Sequence, residues 1–144
     1  MATDNAELLR QGFERFAATG QPPLELVDPD VELVNFSTFP ITEPYRGHEG
    51  VQRWIDDIAD PFDEFRYELV DVLAQDDEHV VATQRVTGRA KTGGADFELE
   101  WPAVYWFRDG KVVRAQGFRD SDEALAAAGF FRYMTRASQR SDSP

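Results

Sequence analysis

The chain has 144 residues, 42% of them hydrophobic, with 11 Phe, 4 Tyr and 3 Trp, a globular composition of one-domain size. Its 27 acidic against 15 basic residues give a formal charge of −12, which disfavours nucleic acid and anionic membrane surfaces as partners. The lack of cysteine excludes disulfides, thiolate metal sites and a cysteine nucleophile.

The N-terminal residues carry no basic and apolar leader pattern, and no apolar run approaches the roughly 20 residues of a membrane span, so a cytoplasmic protein is expected. Asp4 and Glu7 form a capping-box pattern, and Ala6, Leu9, Phe13, Phe16 and Ala17 follow at helical spacing. A helix from about 4 to 19 is predicted, stopped by Gly20 and Pro22. Residues 23–27 read as a short helix or turn ended by Asp28-Pro29, and residues 31–36 as a first strand. The stretch 37–47, with two prolines and a glycine, reads as a loop. Val51, Trp54, Ile55 and Ile58 give one apolar face to a helix over 50–59, closed by Pro61.

Residues 65–73 and 80–89 read as strands joined by a turn at 76–78. Gly93-Gly94 leads into the most regular stretch of the chain, where Phe97, Leu99, Trp101, Ala103, Tyr105 and Phe107 alternate with period two. Asp109-Gly110 then signals a tight hairpin returning over 111–119. Asp120 or Ser121 caps a last short helix that ends at Gly129, and residues 131–144 read as a polar, disordered tail beyond a single domain over 1–130. This order predicts an α+β fold: a curved antiparallel sheet wrapped round helices as a cone or half-barrel, cystatin-like, with the helices on the concave face and a pocket between.

That order, with Asp28-Pro-Asp-Val-Glu, the run Tyr45-Arg-Gly-His-Glu-Gly-Val51, the Arg108–Arg114 hairpin and Glu123-Ala-Leu-Ala-Ala-Ala-Gly129, resembles the SnoaL-like polyketide cyclase branch of the nuclear transport factor 2-like superfamily over roughly residues 5 to 130. The resemblance implies a cone with an apolar pocket and frequent dimers, and leaves the activity open among isomerases, cyclases, epoxide hydrolases, dehydratases and noncatalytic subunits. Of the hydrolase catalytic set it places Asn35 and Arg85, while the other three positions hold Leu33, Thr87 and Gly117. Neither hydrolase carboxylate is present, so hydrolase-like activity is the weakest alternative. At the positions of the ketosteroid isomerase acids the chain has Asn35 and Ala103, and its first helix has no Tyr. Where the cyclases carry an Asp on the last strand it has Gly117.

If Asn35, Arg85 and Ala103 face the pocket, alternation brings Leu33, Val81, Thr83, Thr87, Trp101, Tyr105, Val113, Ala115 and Gly117 with them, an apolar wall with few polar points. The plain alternative is a filled core. Arg85 at such a position polarises a ligand oxygen beside Asn35, or else is an ion pair with Glu32, Asp71 or Glu100. Asp120 is a third candidate catalytic group, with helix capping as the competing role. Tyr45 and Trp54 are candidate ligand contacts from the lid, with Leu33, Thr83, Thr87, Trp101 and Tyr105 from the wall. His48 is expected at an exposed helix entry and His79 on the surface, so no metal site and no cofactor are expected. Glu98 and Glu100 fall on the outward phase, as do Val104, Trp106, Gln116 and Phe118, an apolar outer patch that predicts a homodimer through the convex face.

The expected function is binding of a small apolar molecule in the cone, with isomerase, cyclase or lyase chemistry on a carbonyl compound. A noncatalytic ligand carrier and a dimeric scaffold module are the alternatives.

Overall fold

A computed structural model describes residues 4–36 and 43–130. The expected tail at 131–144 and most of the expected loop at 37–47 lie outside the described residues. Helix α1 spans Asn5–Thr19, with the Asp4 carboxylate accepting from the amides of Ala6 and Glu7. Gly20 ends it in the left-handed conformation, its N–H donating to the Phe16 carbonyl at 2.7 Å. A single 3₁₀ turn, Leu24–Leu26, leads into β1 (Val27–Val34). Then come β2 (Tyr45–Arg46), α2 (Gly47–Ala59), β3 (Phe62–Gln75), β4 (His79–Ala90), β5 (Asp96–Arg108), β6 (Lys111–Gly117) and α3 (Ser121–Ala127). The hairpin at Asp109-Gly110 forms as its sequence predicts, both residues at positive φ (54° and 76°) as a two-residue turn requires.

The chain folds as α+β, with six strands in the order β2-β1-β6-β5-β4-β3. Strands β3 to β6 are the expected antiparallel meander. The sheet is not antiparallel throughout, because β1 runs parallel to β6, pairing Glu32 with Arg114 and Leu33 with Ala115. Strand β1 also begins at Val27, so Asp28-Pro29 lies inside it rather than before it. Pro29 is tolerated where the β1–β6 register shifts between Val27 and Glu32. Strand β3 is longer than its apolar pattern, starting at Phe62, and takes up Glu64 at φ 56° where its register with β4 shifts. Pairing with β4 extends it through residues of poor strand propensity.

The helices do not share one face. On the concave side Ala6 and Leu9 of α1 and Val51 of α2 join Val80, Ala82, Ala103, Tyr105, Phe107 and Val112 of the sheet. On the convex side Ala124, Leu125 and Ala128, from α3 and the residue after it, pack on Val81 and Val104, with Trp106 and Phe118 against them. Part of the outer apolar patch that suggested a partner is therefore covered by the chain's own last helix. Both faces of β5 are buried at its centre, residues 101–105 in succession. No helix among the described residues is long and apolar enough to cross a membrane.

Candidate functional site

The concave face and the two long helices enclose an apolar cavity of about 130 Å³. Leu9, Phe13 and Phe16 of α1, Trp54 and Ile55 of α2, and Leu33, Tyr67, Tyr105 and Ala115 of the sheet are among its walls. A smaller lobe of about 60 Å³ shares Leu33, Trp54, Tyr67, Tyr105 and Ala115 with it and adds Asn35, Gln84, Trp101, Ala103 and Gly117. None of the described residues lining either lobe carries a formal charge at neutral pH.

Polar groups inside the cone are few and joined to one another. The Tyr105 hydroxyl donates to Gln84 Oε1, and the Tyr67 hydroxyl lies 3.3 Å from the Tyr105 oxygen. Since the Tyr105 proton is committed to Gln84, Tyr67 is the donor in the second bond. Burial pushes the Tyr105 phenol well above its ordinary range. Burial does the same to Tyr67, with the neighbouring Tyr105 adding to the shift. Both are neutral hydroxyls at any physiological pH. Aromatic packing fixes the Tyr67 ring, which stacks on Trp101 at 6.2 Å and meets Phe13 at 4.9 Å and Trp54 at 5.2 Å. Gly117 leaves the space that Trp101 occupies, because a Cβ there would lie 3.0 Å from the indole Cδ1 and 3.1 Å from Nε1.

Of the wall residues expected from the sequence, Leu33, Trp101, Tyr105, Ala103, Ala115 and Gly117 line this cavity, and Trp54, expected from the lid, lines it as well. Asn35 lines the small lobe and accepts from Trp54 Nε1 at 2.8 Å, so it orients the indole. Val113 does not join them, since the β5–β6 register shifts at Phe107 and places Val112 in the core instead.

Strand β4 is out of phase with the expectation. Its unbroken pairing with β5 sets Ala82 against Ala103 and Gln84 against Trp101, so the even-numbered residues face the cavity. Val81, Thr83, Arg85 and Thr87 point to the outer face. Arg85 pairs there with Glu68 and Glu100, each at 3.6 Å, with all three side chains a third or more exposed. It touches no ligand space and is the structural ion pair. Tyr45 is also absent from the lining. Its hydroxyl donates to Asp57 at 2.7 Å, tying β2 to α2, and burial followed by the Asp57 hydrogen bond pushes its pKa up to about 12.

Asp120 caps α3, accepting from the Glu123 amide at 2.9 Å. His48 is half-buried rather than exposed, its Nε2–H donating to the Val27 carbonyl at 2.8 Å. His79 pairs with Asp76 at the turn after β3, 2.8 Å away. Among the described residues no cluster of three or more His, Asp or Glu side chains has the spacing to hold a metal ion. Gln84, Tyr67 and Gln116 are polar lining residues that the sequence reading missed, Gln116 having been expected on the outer face. The signal for the first two was available in Arg85 itself, since its cross-strand partner Glu100 was already placed outward and pairing carries Arg85 outward with it.

A curved sheet closed by two helices over an uncharged cavity defines a class of small α+β cones. The chain belongs to the SnoaL-like domain family, whose model matches residues 9–115. Its fold is similar to that of Bal32a from a soil-derived mobile gene cassette, at 24% identity over 78% of this chain and 86% of that one, with a TM-score of 0.66. It is similar to an NTF2-like protein of Burkholderia pseudomallei, at 20% identity over 87% and 97% of the two chains, with a TM-score of 0.67. TerC, co-crystallised with polyporic acid, is 19% identical over 89% and 98%, with a TM-score of 0.65. No curated protein matches the sequence.

Proposed function

We propose that the protein binds an uncharged, mainly apolar small molecule inside the cone, with Tyr67, Tyr105 and Gln84 meeting its polar end. The observation that carries this reading is the cavity itself: apolar walls, no formal charge and a few polar groups, among them the joined Tyr67, Tyr105 and Gln84. A charged ligand would leave water for a site with no counter-charge, which is strongly unfavourable. An anion would also approach against a net charge of −12.

A second reading, isomerase, cyclase or lyase chemistry on a carbonyl compound without a cofactor, is favoured by membership of the SnoaL-like domain family. The Tyr67 and Tyr105 hydroxyls would have to turn from their present partners, Tyr105 and Gln84, to stabilise charge developing on a ligand oxygen. Against base-driven turnover, the lining offers no carboxylate or imidazole. Binding is therefore the leading reading and turnover the second.

The test is a thermal-shift screen of apolar ketones, lactones and aromatic compounds. A ligand at a hundred times its Kd stabilises by about 2.7 kcal/mol, or roughly 8 °C for a chain of this size. The shift is expected to persist in Arg85→Ala, on the outer face, and to vanish in Ala115→Leu, which fills the cavity where its two lobes meet. A screen without a hit, or a hit whose shift survives Ala115→Leu, overturns the reading.

A further inference from the structure

The end of α3 aims the chain at the outer face of the sheet. Gly129 takes φ 90° and its N–H donates to the Ala126 carbonyl at 3.1 Å, while the Phe130 N–H donates to the Leu125 carbonyl at 2.7 Å. The two bonds make a Schellman motif, which turns the chain back at a helix end. Phe130 is half-buried against the cluster of Val81, Val104 and Leu125, and Ala74 of β3 packs on the same cluster. Residues 131–144 therefore start on the outer face.

That face keeps uncovered apolar surface at one edge. Val70 and Leu73 are 42% and 37% exposed, two of the three large apolar side chains left open among the described residues. They sit at two bulges of β3, the edge strand, beside Asp71 and Ala74, which pair with Thr83 and Val81 of the outward set on β4. Neighbouring strands lie about 4.8 Å apart, so β3 is about 10 Å from β5, which roughly three or four extended residues cross.

Composition and charge say what covers this edge. The large apolar side chains of residues 131–144 are Phe131, Tyr133 and Met134, all within the stretch that reaches β3. Arg132, Arg136 and Arg140 stand against one acid, Asp142, so the segment is basic in a chain of net charge −12. The outer surface of β3 to β5 beside Val70 is acidic: Glu68, Asp71, Glu98 and Glu100 outnumber Arg66 and Arg85, and Arg85 is shared by Glu68 and Glu100.

We propose that residues 131–136 dock across the outer face of their own chain, their apolar side chains against Val70 and Leu73 and their arginines toward Glu68, Asp71 and Glu100. The segment covers apolar surface that would otherwise be open to a second copy. This inference is independent of what the cone holds.

The chain has no cysteine, so Ser138→Cys carries a nitroxide spin label at one position. In the ¹⁵N-labelled full chain, residues 131–136 are expected to show heteronuclear NOE values like those of the sheet. The label is expected to broaden the amides of Val70, Leu73 and Thr83. Arg132→Glu combined with Arg136→Glu is expected to lower those NOE values and remove most of the broadening while the fold is kept. A chain ended at Phe130 is expected to melt roughly 3–6 °C lower. Free-chain NOE values at 131–136, or broadening at β3 that the double charge reversal leaves unchanged, overturn the proposal. Broadening that arises only between chains, in a mixture of spin-labelled ¹⁴N chains and unlabelled ¹⁵N chains, also overturns it and gives the surface to a second copy.

Discussion

Replacing Tyr105 with phenylalanine is expected to lower the melting temperature by about 3–10 °C, and adding Gln84→Leu is expected to restore much of the loss. The first change removes one oxygen and leaves the ring, so no cavity forms. It strands Gln84 Oε1 inside the cone, at a residue 3% exposed, and takes away the acceptor of the Tyr67 hydroxyl. Leaving a buried polar group without its partner costs about 1–3 kcal/mol, whereas replacing both partners by apolar groups of similar shape is nearly neutral. At this chain length each kcal/mol moves the midpoint by roughly 3 °C. Gln84→Leu alone strands the Tyr105 hydroxyl and is expected to cost a similar amount. Denaturant unfolding of the four proteins closes the cycle, with a coupling of about 0.5–3 kcal/mol expected. Strictly additive losses would show that the two side chains do not act as a pair.

The second large effect lies at high pH. Tyr45, Tyr67 and Tyr105 all have pKa values above the ordinary 10.0, in each case chiefly because burial disfavours the phenolate. Above pH 10 the unfolded chain releases these protons and the folded chain keeps them. Stability contributed by the neutral tyrosines is thus complete below pH 10 and is lost as pH rises toward 12 and beyond. Each retained proton contributes a slope of up to about 1.4 kcal/mol per pH unit. Alkaline unfolding between pH 10 and 12 is therefore expected to be steep, with tyrosinate absorbance from these three rings rising together with the loss of near-ultraviolet circular dichroism. Titration of all three below pH 10.5 in a still-folded protein would contradict their burial.

The parts of this fold that declare themselves in the sequence are those decided locally. The Asp4 cap, the Gly20 stop and the Asp109-Gly110 turn depend on neighbours a few positions away, and they stand where they were expected. Strand β5 does too, but its one-faced burial does not hold, since Phe97 is exposed and residues 101–105 are buried in succession. The parallel seam of β1 and β6 depends on which distant strand is free to pair, and the patterns of β1 and β6 carry no trace of it. Strand β4 shows how a site is lost to one residue of phase. In Val80-Val-Ala-Thr-Gln-Arg-Val-Thr both alternating sets contain valine and polar groups, so periodicity alone leaves the inward set open. The choice is made by Glu100 on the next strand, and with it Gln84 enters the cone and Arg85 leaves it. Tyr67 was hidden by the same cause, since the inward face of β3 follows from its pairing with β4.

The parallel pairing also bears on the order in which the molecule assembles. Glu32 and Arg114, joined across β1 and β6, are 82 positions apart, whereas β3 to β6 join through short turns. Closing the long loop carries a larger entropy cost before any contact rewards it, so the meander is expected to form in the folding nucleus and β1, with α2 beside it, to dock afterwards. Substitutions at Val31 should then speed unfolding with little effect on the folding rate, and those at Val104 should slow folding. The chamber closes only when the N-terminal third arrives, making it the last element to form and the first to open when the protein yields.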